Sequence, residues 1–445
     1  MVGVAASVAE GTGEEERDGM ELVAVGLMIV VVIATLRAPG ARASLVAVQG
    51  ALVLVGTIPS FAAPSSMRVS ATICIILCSL VALLKAPRGM AWTGVNWALV
   101  ALMVCVGVNG LRGLPFQSGI YFFGVGCCLA LLAAVFPIAA RAFGSARVLA
   151  PLALMLPIHL ALGLAEQTNP TLALWPTGTW MDFLENRHQE LLPSLLAGRS
   201  MSVAGHPILL GTLAAAGILV AIELFRSSRK GRYLVLAASG IGALALSGTR
   251  SAVFAGAVCL VISFLVARRG ASRLILSIVL LGAAVIAIQS GFLAYVFNDT
   301  VQSGVSYTHR VDVLSSTVDI YQNANSLQLL LGVGDGKATK LFETVINADD
   351  NLQMFDNQLV RFFAVSGVLS LVLLAAALVV AFRRADLLTA LLLCLSIIMF
   401  FSFDTMTWLA SAALFAVSAS GPRSPTQSSR QAERISAAAV MSPAI

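Results

Sequence analysis

Apolar runs, each ended by a cluster of charged, Pro or Gly residues, recur about a dozen times along this chain, near 20–36, 43–63, 69–84, 91–109, 119–140, 148–165, 206–225, 233–247, 251–267, 274–294, 359–382 and 387–403. Each is close to the roughly 17–25 apolar residues with which a helix crosses the hydrocarbon of a bilayer. The strict alternation that a strand barrel needs does not occur. In lipid, a continuous apolar run satisfies its backbone by coiling into a helix. The expected fold is all-α, a polytopic integral membrane protein of about 12–13 transmembrane helices with a small helical cap.

Two polar stretches, 166–205 and 295–358, interrupt this rhythm. They divide the chain into a polar tail (1–19), a transmembrane scaffold half (20–165), an outer loop (166–205), a transmembrane core (206–294), a large loop (295–358), terminal spans (359–420) and a disordered tail (421–445). Short helices are expected at 181–192 in the first loop and at 306–324 and 337–347 in the second. Residues 404–419 supply a last, short crossing, with Asp404 at the break before it. The first apolar run follows an acidic stretch without a cleavage pattern and is expected to stay as a span.

Composition narrows the picture. With 58% hydrophobic and 11% charged residues, the chain has too few ionic groups to cover a water-soluble surface. Fifteen Lys and Arg residues fall in one set of loops, at 37, 42, 85, 88, 141, 147, 226, 229, 230, 232, 268, 269, 273, 383 and 384, whereas the alternate short loops hold only Arg68, Arg112 and Arg250. By the positive-inside rule, both long polar stretches face outward. The net charge of +6 is accounted for by loops that meet anionic headgroups, so it does not point to nucleic acid. All seven cysteines lie in apolar runs, where packing is the expected role.

Four constellations at the outward ends of the later spans could carry chemistry. Arg199-Ser-Met-Ser-Val-Ala-Gly-His206-Pro207 enters a span, with Pro207 in its first turn; a helix start there favours an anion, although snorkelling and capping would use the same residues. Ser247-Gly-Thr-Arg250-Ser251 is a tight turn whose arginine, held at a membrane surface, calls for an anionic partner such as a phosphate or a lipid headgroup. Ser306-Tyr-Thr-His309-Arg310 precedes a helix-like run, where Arg310 can equally pair with a carboxylate of the cap. Asp349-Asp350-Asn351 is followed by Asp356-Asn357-Gln358, with Arg361 just inside the next span; Asp356 offers either a helix cap or a general base, and the clustered acids could also bind a divalent cation, although their spacing is not diagnostic. A lone His159 in an apolar run is expected to be structural. No nucleotide-binding Walker loop, zinc-protease His-Glu pair or serine-hydrolase elbow occurs.

In order and spacing, these constellations resemble the bacterial O-antigen ligase and O-antigen polymerase family of membrane glycan-transfer proteins. Gly205-His206-Pro207 with Leu210-Gly211 is similar to the family's His-Pro-Asn element, with Ile208 in place of Asn. Leu246 to Ser251 resembles its Ser-Arg turn, and Arg310 with Leu331-Gly-Val-Gly-Asp-Gly336 resembles its Arg and Gly-x-Gly. Asp356-Asn357-Gln358-Leu359 with Gly367 resembles the end of its large loop and the following span. The likeness covers roughly residues 195–380.

The resemblance implies a glycosyltransferase in the bacterial cytoplasmic membrane that uses a polyprenyl-pyrophosphate-linked oligosaccharide at the outer face, without cofactor or metal. Arg199, Arg250 and Arg310 would hold the pyrophosphate, Asp356 or His206 would activate the acceptor hydroxyl, and His309, Asn357 and Arg361 would support them. It also implies flippase and chain-length-regulator partners. An acid at 356, where ligases tend to have His, favours polymerase over ligase. A transporter or flippase of lipid-linked sugar is the rival class, but the dissimilar halves, with ionisable residues at one face, favour surface chemistry.

Overall fold

The computed structural model describes residues 21–60, 63–87, 94–112, 114–169, 199–267, 312–338, 340–341, 355, 357–406 and 408–421. The expected span at 274–294, the helix at 181–192, the acids Asp349 and Asp350, and the site candidates His309, Arg310 and Asp356 lie outside them. The described chain is all-helical, a multi-pass membrane protein with several long apolar helices. Its helices are α1 (21–37), α2 (Ala41–Thr57), α3 (Ser65–Lys85), α4 (Trp97–Gly110), α5 (Phe116–Phe143), α6 (Ala150–Thr168), α7 (Pro207–Ser228), α8 (Arg232–Ser247) and α9 (Arg250–Ala267). After the loop come α10 (Ser326–Leu331), α11 (Gln358–Arg384), α12 (Leu387–Met399) and α13 (Leu409–Ala419).

Local chemistry sets the ends. Pro64 and Pro115 precede α3 and α5, and a proline is tolerated where an amide would be unpaired anyway. The span expected at 43–63 stops at Thr57, two residues before Pro59, because the residue preceding a proline is pushed out of helical geometry. Glu166 and Gln167, assigned by sequence to the outer loop, belong to the last turn of α6. Of the helix expected at 306–324 the described part includes Thr317–Asn323, and a further helix, Ser326–Leu331, follows where none is expected. Asn325 separates them by starting a capping box with Gln328.

The core lies where α5, α7 and α13 meet their neighbours, with Phe136, Phe400 and Phe415 essentially sealed. Helices α4 and α5 cross closely. A Cβ on Gly126 would come within 2.6 Å of Gly107 Cα, so only small residues allow this approach.

Contacts join helix ends in two sets. At the basic rim, Lys85 Nζ donates to Leu36 O, and to Ala38 O at 3.2 Å. There, too, Arg384 Nη1 donates to Gly94 O (3.0 Å) and Asn96 Nδ2 to Ala377 O and Ala419 O (2.9 and 3.1 Å). At the opposite rim, the starts of α7, α9 and α11 meet the end of α6 and the segment between α12 and α13.

That segment, 400–408, is where the run expected to be helical to 403 breaks. Its described residues other than Phe401 are buried, and buried backbone at membrane depth must find partners inside the protein. It does. Phe400 O accepts from Gln358 N (2.8 Å), Gln358 Oε1 accepts from Met406 N (2.7 Å), and Ser411 Oγ donates to Thr405 O (2.7 Å). Beyond it, α13 has 11 residues, about 17 Å of rise, and cannot cross alone.

Helix α11 is also broken. Its 27 residues would reach about 40 Å if straight. Yet one end is tied to α12 through Ala385–Asp386 and the other to Phe400, across a helix of 13 residues, about 20 Å. The excess is absorbed at Gly367, whose φ of 70° suits glycine and strains other residues.

Candidate functional site

The first cluster is built on the turn 199–206. Met201 is right-handed and Ser202 left-handed (φ 51°), a pairing that points successive N–H groups to one side and makes a hollow for an anion. Glu166, buried at the end of α6, fills that hollow: its carboxylate accepts from Met201 N (2.7 Å) and Ser202 N (2.8 Å). Neighbouring side chains fasten the same turn. Gln167 Nε2 donates to Ser200 Oγ (2.8 Å), which donates to Gly163 O (3.0 Å), and buried His159 meets Ser202 Oγ through Nδ1 (3.2 Å). His159 thus has the structural setting that the sequence predicts.

The fastened turn places Arg199 against the junction of α8 and α9. Arg199 Nε donates to Ser247 O (3.1 Å), and its Nη2 to Thr249 Oγ1 (3.1 Å). Thr249 Oγ1 in turn donates to Pro207 O (2.9 Å) at the start of α7. Arg250 follows directly as the first residue of α9, exposed, and among the described residues it has no hydrogen-bond or ion-pair partner. A cation at a helix N-terminus opposes the helix dipole, so this rim is richer in positive potential than its neighbours require.

His206 caps α7, its Nδ1 accepting from Ile208 N (3.2 Å). The sequence reading left that helix start open to an external anion; part of its donor set is instead taken by the imidazole. With Nδ1 accepting, neutral His206 carries its proton on Nε2. Its ring lies 4.5 Å from that of Trp408, tilted by 57°.

The second cluster sits where the Gly-x-Gly segment enters the break in α11. Val333 N and Gly334 N donate to Ala364 O and Val365 O (2.9 and 3.0 Å), taking up carbonyls that an unbroken helix would have used. Gly332 and Gly367 lie back to back; a Cβ on Gly332 would sit 2.1 Å from Val365 C. From the scaffold half, Arg112 donates to Leu331 O (2.5 Å) and Gly332 O (2.9 Å). Arg361 then closes the cluster, donating to Asp335 Oδ1 (2.6 Å) and to Asp404 Oδ2. Asp335, Arg361 and Gln358 line a cavity of about 20 Å³, room for one water. The Nε2 of Gln358 and the Oδ1 of Asp404 are buried without a partner among the described residues.

The structure thus brings Arg199, His206 and Arg250 together. Arg361 stands in the second cluster, between two carboxylates. Asn357 caps α11, accepting from Leu359 N and Val360 N (3.0 and 3.3 Å); Asp356, weighed for that role, lies outside the described residues. Sequence reasoning missed Glu166 and Arg112, both on the half read as scaffold or at its edge. An acid in the last turn of a helix, against the dipole, was the available signal for Glu166.

No protein-family model matches this chain, and no curated protein matches it.

Proposed function

We propose that this protein is a membrane glycosyltransferase, a polymerase that lengthens a glycan from a polyprenyl-pyrophosphate-linked oligosaccharide at the outer face of the bacterial cytoplasmic membrane. The observation that carries the reading is Arg199 held against the Ser247–Thr249 turn, with Arg250 the next residue along and exposed, beside the start of α7. Two planar guanidinium groups at a membrane rim suit a diphosphate, which each can meet through paired N–H donors. The rim opposite the basic loops faces outward by charge bias, which is where a lipid-linked donor would arrive laterally.

In this reading the diphosphate leaves as the acceptor hydroxyl attacks, and the fixed cations stabilise the charge developing on it. His206 stands at the same turn as the cap of α7, its Nδ1 accepting from Ile208 N. Proton removal from the hydroxyl then falls to Asp356. Resemblance to the O-antigen ligase and polymerase proteins points the same way.

The test is direct. Purified protein with a polyprenyl-pyrophosphate oligosaccharide should yield a ladder of products, and Arg250→Ala should lower turnover by roughly 10²–10³ if its contact is worth as much as an oxyanion donor. A single new product would make it a ligase. Unchanged oligosaccharide that moves across liposomes would make it a transporter.

A further inference from the structure

We propose that Glu166 is a positioning residue for the diphosphate site, acting through Arg199; the inference rests on the reading just given. Glu166 is buried on the last turn of α6, where a carboxylate opposes the helix dipole. Such a violation persists when something else requires the charge. Here the requirement is visible. Both carboxylate oxygens are used, each by one of two successive amides, Met201 N and Ser202 N. Those amides point together only because Ser202 is left-handed at φ 51°, a conformation disfavoured for a residue with a side chain.

The consequence reaches the guanidinium two residues away. Ser200 N is tied to Leu246 O (2.9 Å) and Ser200 Oγ to Gly163 O (3.0 Å). With 200, 201 and 202 all fixed, Arg199 has its backbone direction set, and its side chain lies along Ser247 and Thr249. The carboxylate also fills the anion hollow of this turn, so an incoming phosphate is left to the guanidinium groups. Exchange for an amide would set an NH₂ group against a backbone N–H, opening the turn without emptying the space.

The test measures the Kd of undecaprenyl pyrophosphate for detergent-purified full-length protein, by tryptophan fluorescence, alongside the thermal midpoint. Glu166→Gln should raise Kd roughly tenfold or more, the worth of one charge-assisted hydrogen bond. In an Arg199→Ala background the same change should raise Kd far less, because the two residues act in series. A purely structural role would lower the midpoint and leave the Kd of the folded fraction unchanged. That result, or a full tenfold effect persisting on Arg199→Ala, overturns the inference. Wild-type protein that fails to bind the lipid overturns the diphosphate reading and this inference with it. If Glu166→Gln does not fold, Glu166→Asp, shorter by one methylene, carries the same comparison: a raised Kd supports the inference and an unchanged one overturns it.

Discussion

Replacing Arg361 with Met tests how the loop and the broken helix are held together. In the native cluster, one guanidinium lies between Asp335 and Asp404, so these three described residues together carry a net charge of −1, with side chains only 19, 10 and 11% exposed. Arg361→Met leaves two carboxylates facing each other at net −2. Removing one partner from a buried ion pair costs about 3–5 kcal/mol, because the uncompensated charge stays desolvated. That is roughly two to three and a half orders of magnitude in the folding equilibrium.

The same arithmetic gives a contrasting variant. Asp404→Asn brings the cluster to neutrality and keeps an acceptor for Arg361, while giving up an oxygen, Oδ1, that has no partner among the described residues. Its cost should stay within about 1 kcal/mol. Thermal midpoints of purified protein, followed by the monodisperse fraction after heating, separate the two. Asp404→Asn that destabilises as much as Arg361→Met, or Arg361→Met that costs under about 1 kcal/mol, would refute the charge-balance argument.

Two further outcomes are expected. Gly332→Ala and Gly367→Ala should each lose more than about 1 kcal/mol, since both positions have positive φ and neither has room for a Cβ; because the two glycines touch, the double variant should lose less than the sum, and an unchanged thermal midpoint would count against the docking described. In a cysteine-free background, Leu327→Cys should react with a membrane-impermeant maleimide in intact cells and Arg229→Cys only after permeabilisation; the reverse pattern would invert the orientation.

Most helices were legible because lipid leaves a continuous apolar run one backbone solution. What the pattern hid were the places where another part of the chain supplies that solution. Phe400 to Phe403 reads as a continuation of the apolar helix before it, yet Phe400 O and, further on, Met406 N pair with Gln358, some forty residues earlier. Gly367 sits in an unbroken apolar run, and only the Gly-x-Gly segment docked against it accounts for the kink. The ion cluster joins residues 26 and 43 positions apart, and Arg112 reaches across 220 to Gly332. Local periodicity does not encode such pairings. Of the candidate site, the residue types at the rim could be named from sequence, but the buried acid behind Arg199 was missed because its position in a helical turn was read as loop.

The two clusters share one piece of backbone. Segment 400–408 gives Trp408 to the ring contact with His206 and Asp404 to the ion pair with Arg361, four residues apart in the α12–α13 break. Had α12 continued as a helix to 408, those two positions would fall about 6 Å apart along its axis and roughly 40° apart around it, facing nearly the same way. Leaving the helix at Met399 lets the chain run between the starts of α7 and α11 instead. Backbone groups of this segment and of the first residue of α13 are then met by Gln358, Ser411 and Ser60, whose Oγ accepts from Leu409 N (3.0 Å). The half-length α13 follows from this, because the chain has already descended from the rim before helix resumes. A short, fully buried final helix is therefore the structural counterpart of a rim in which the Arg199 and Arg361 clusters are held in one register.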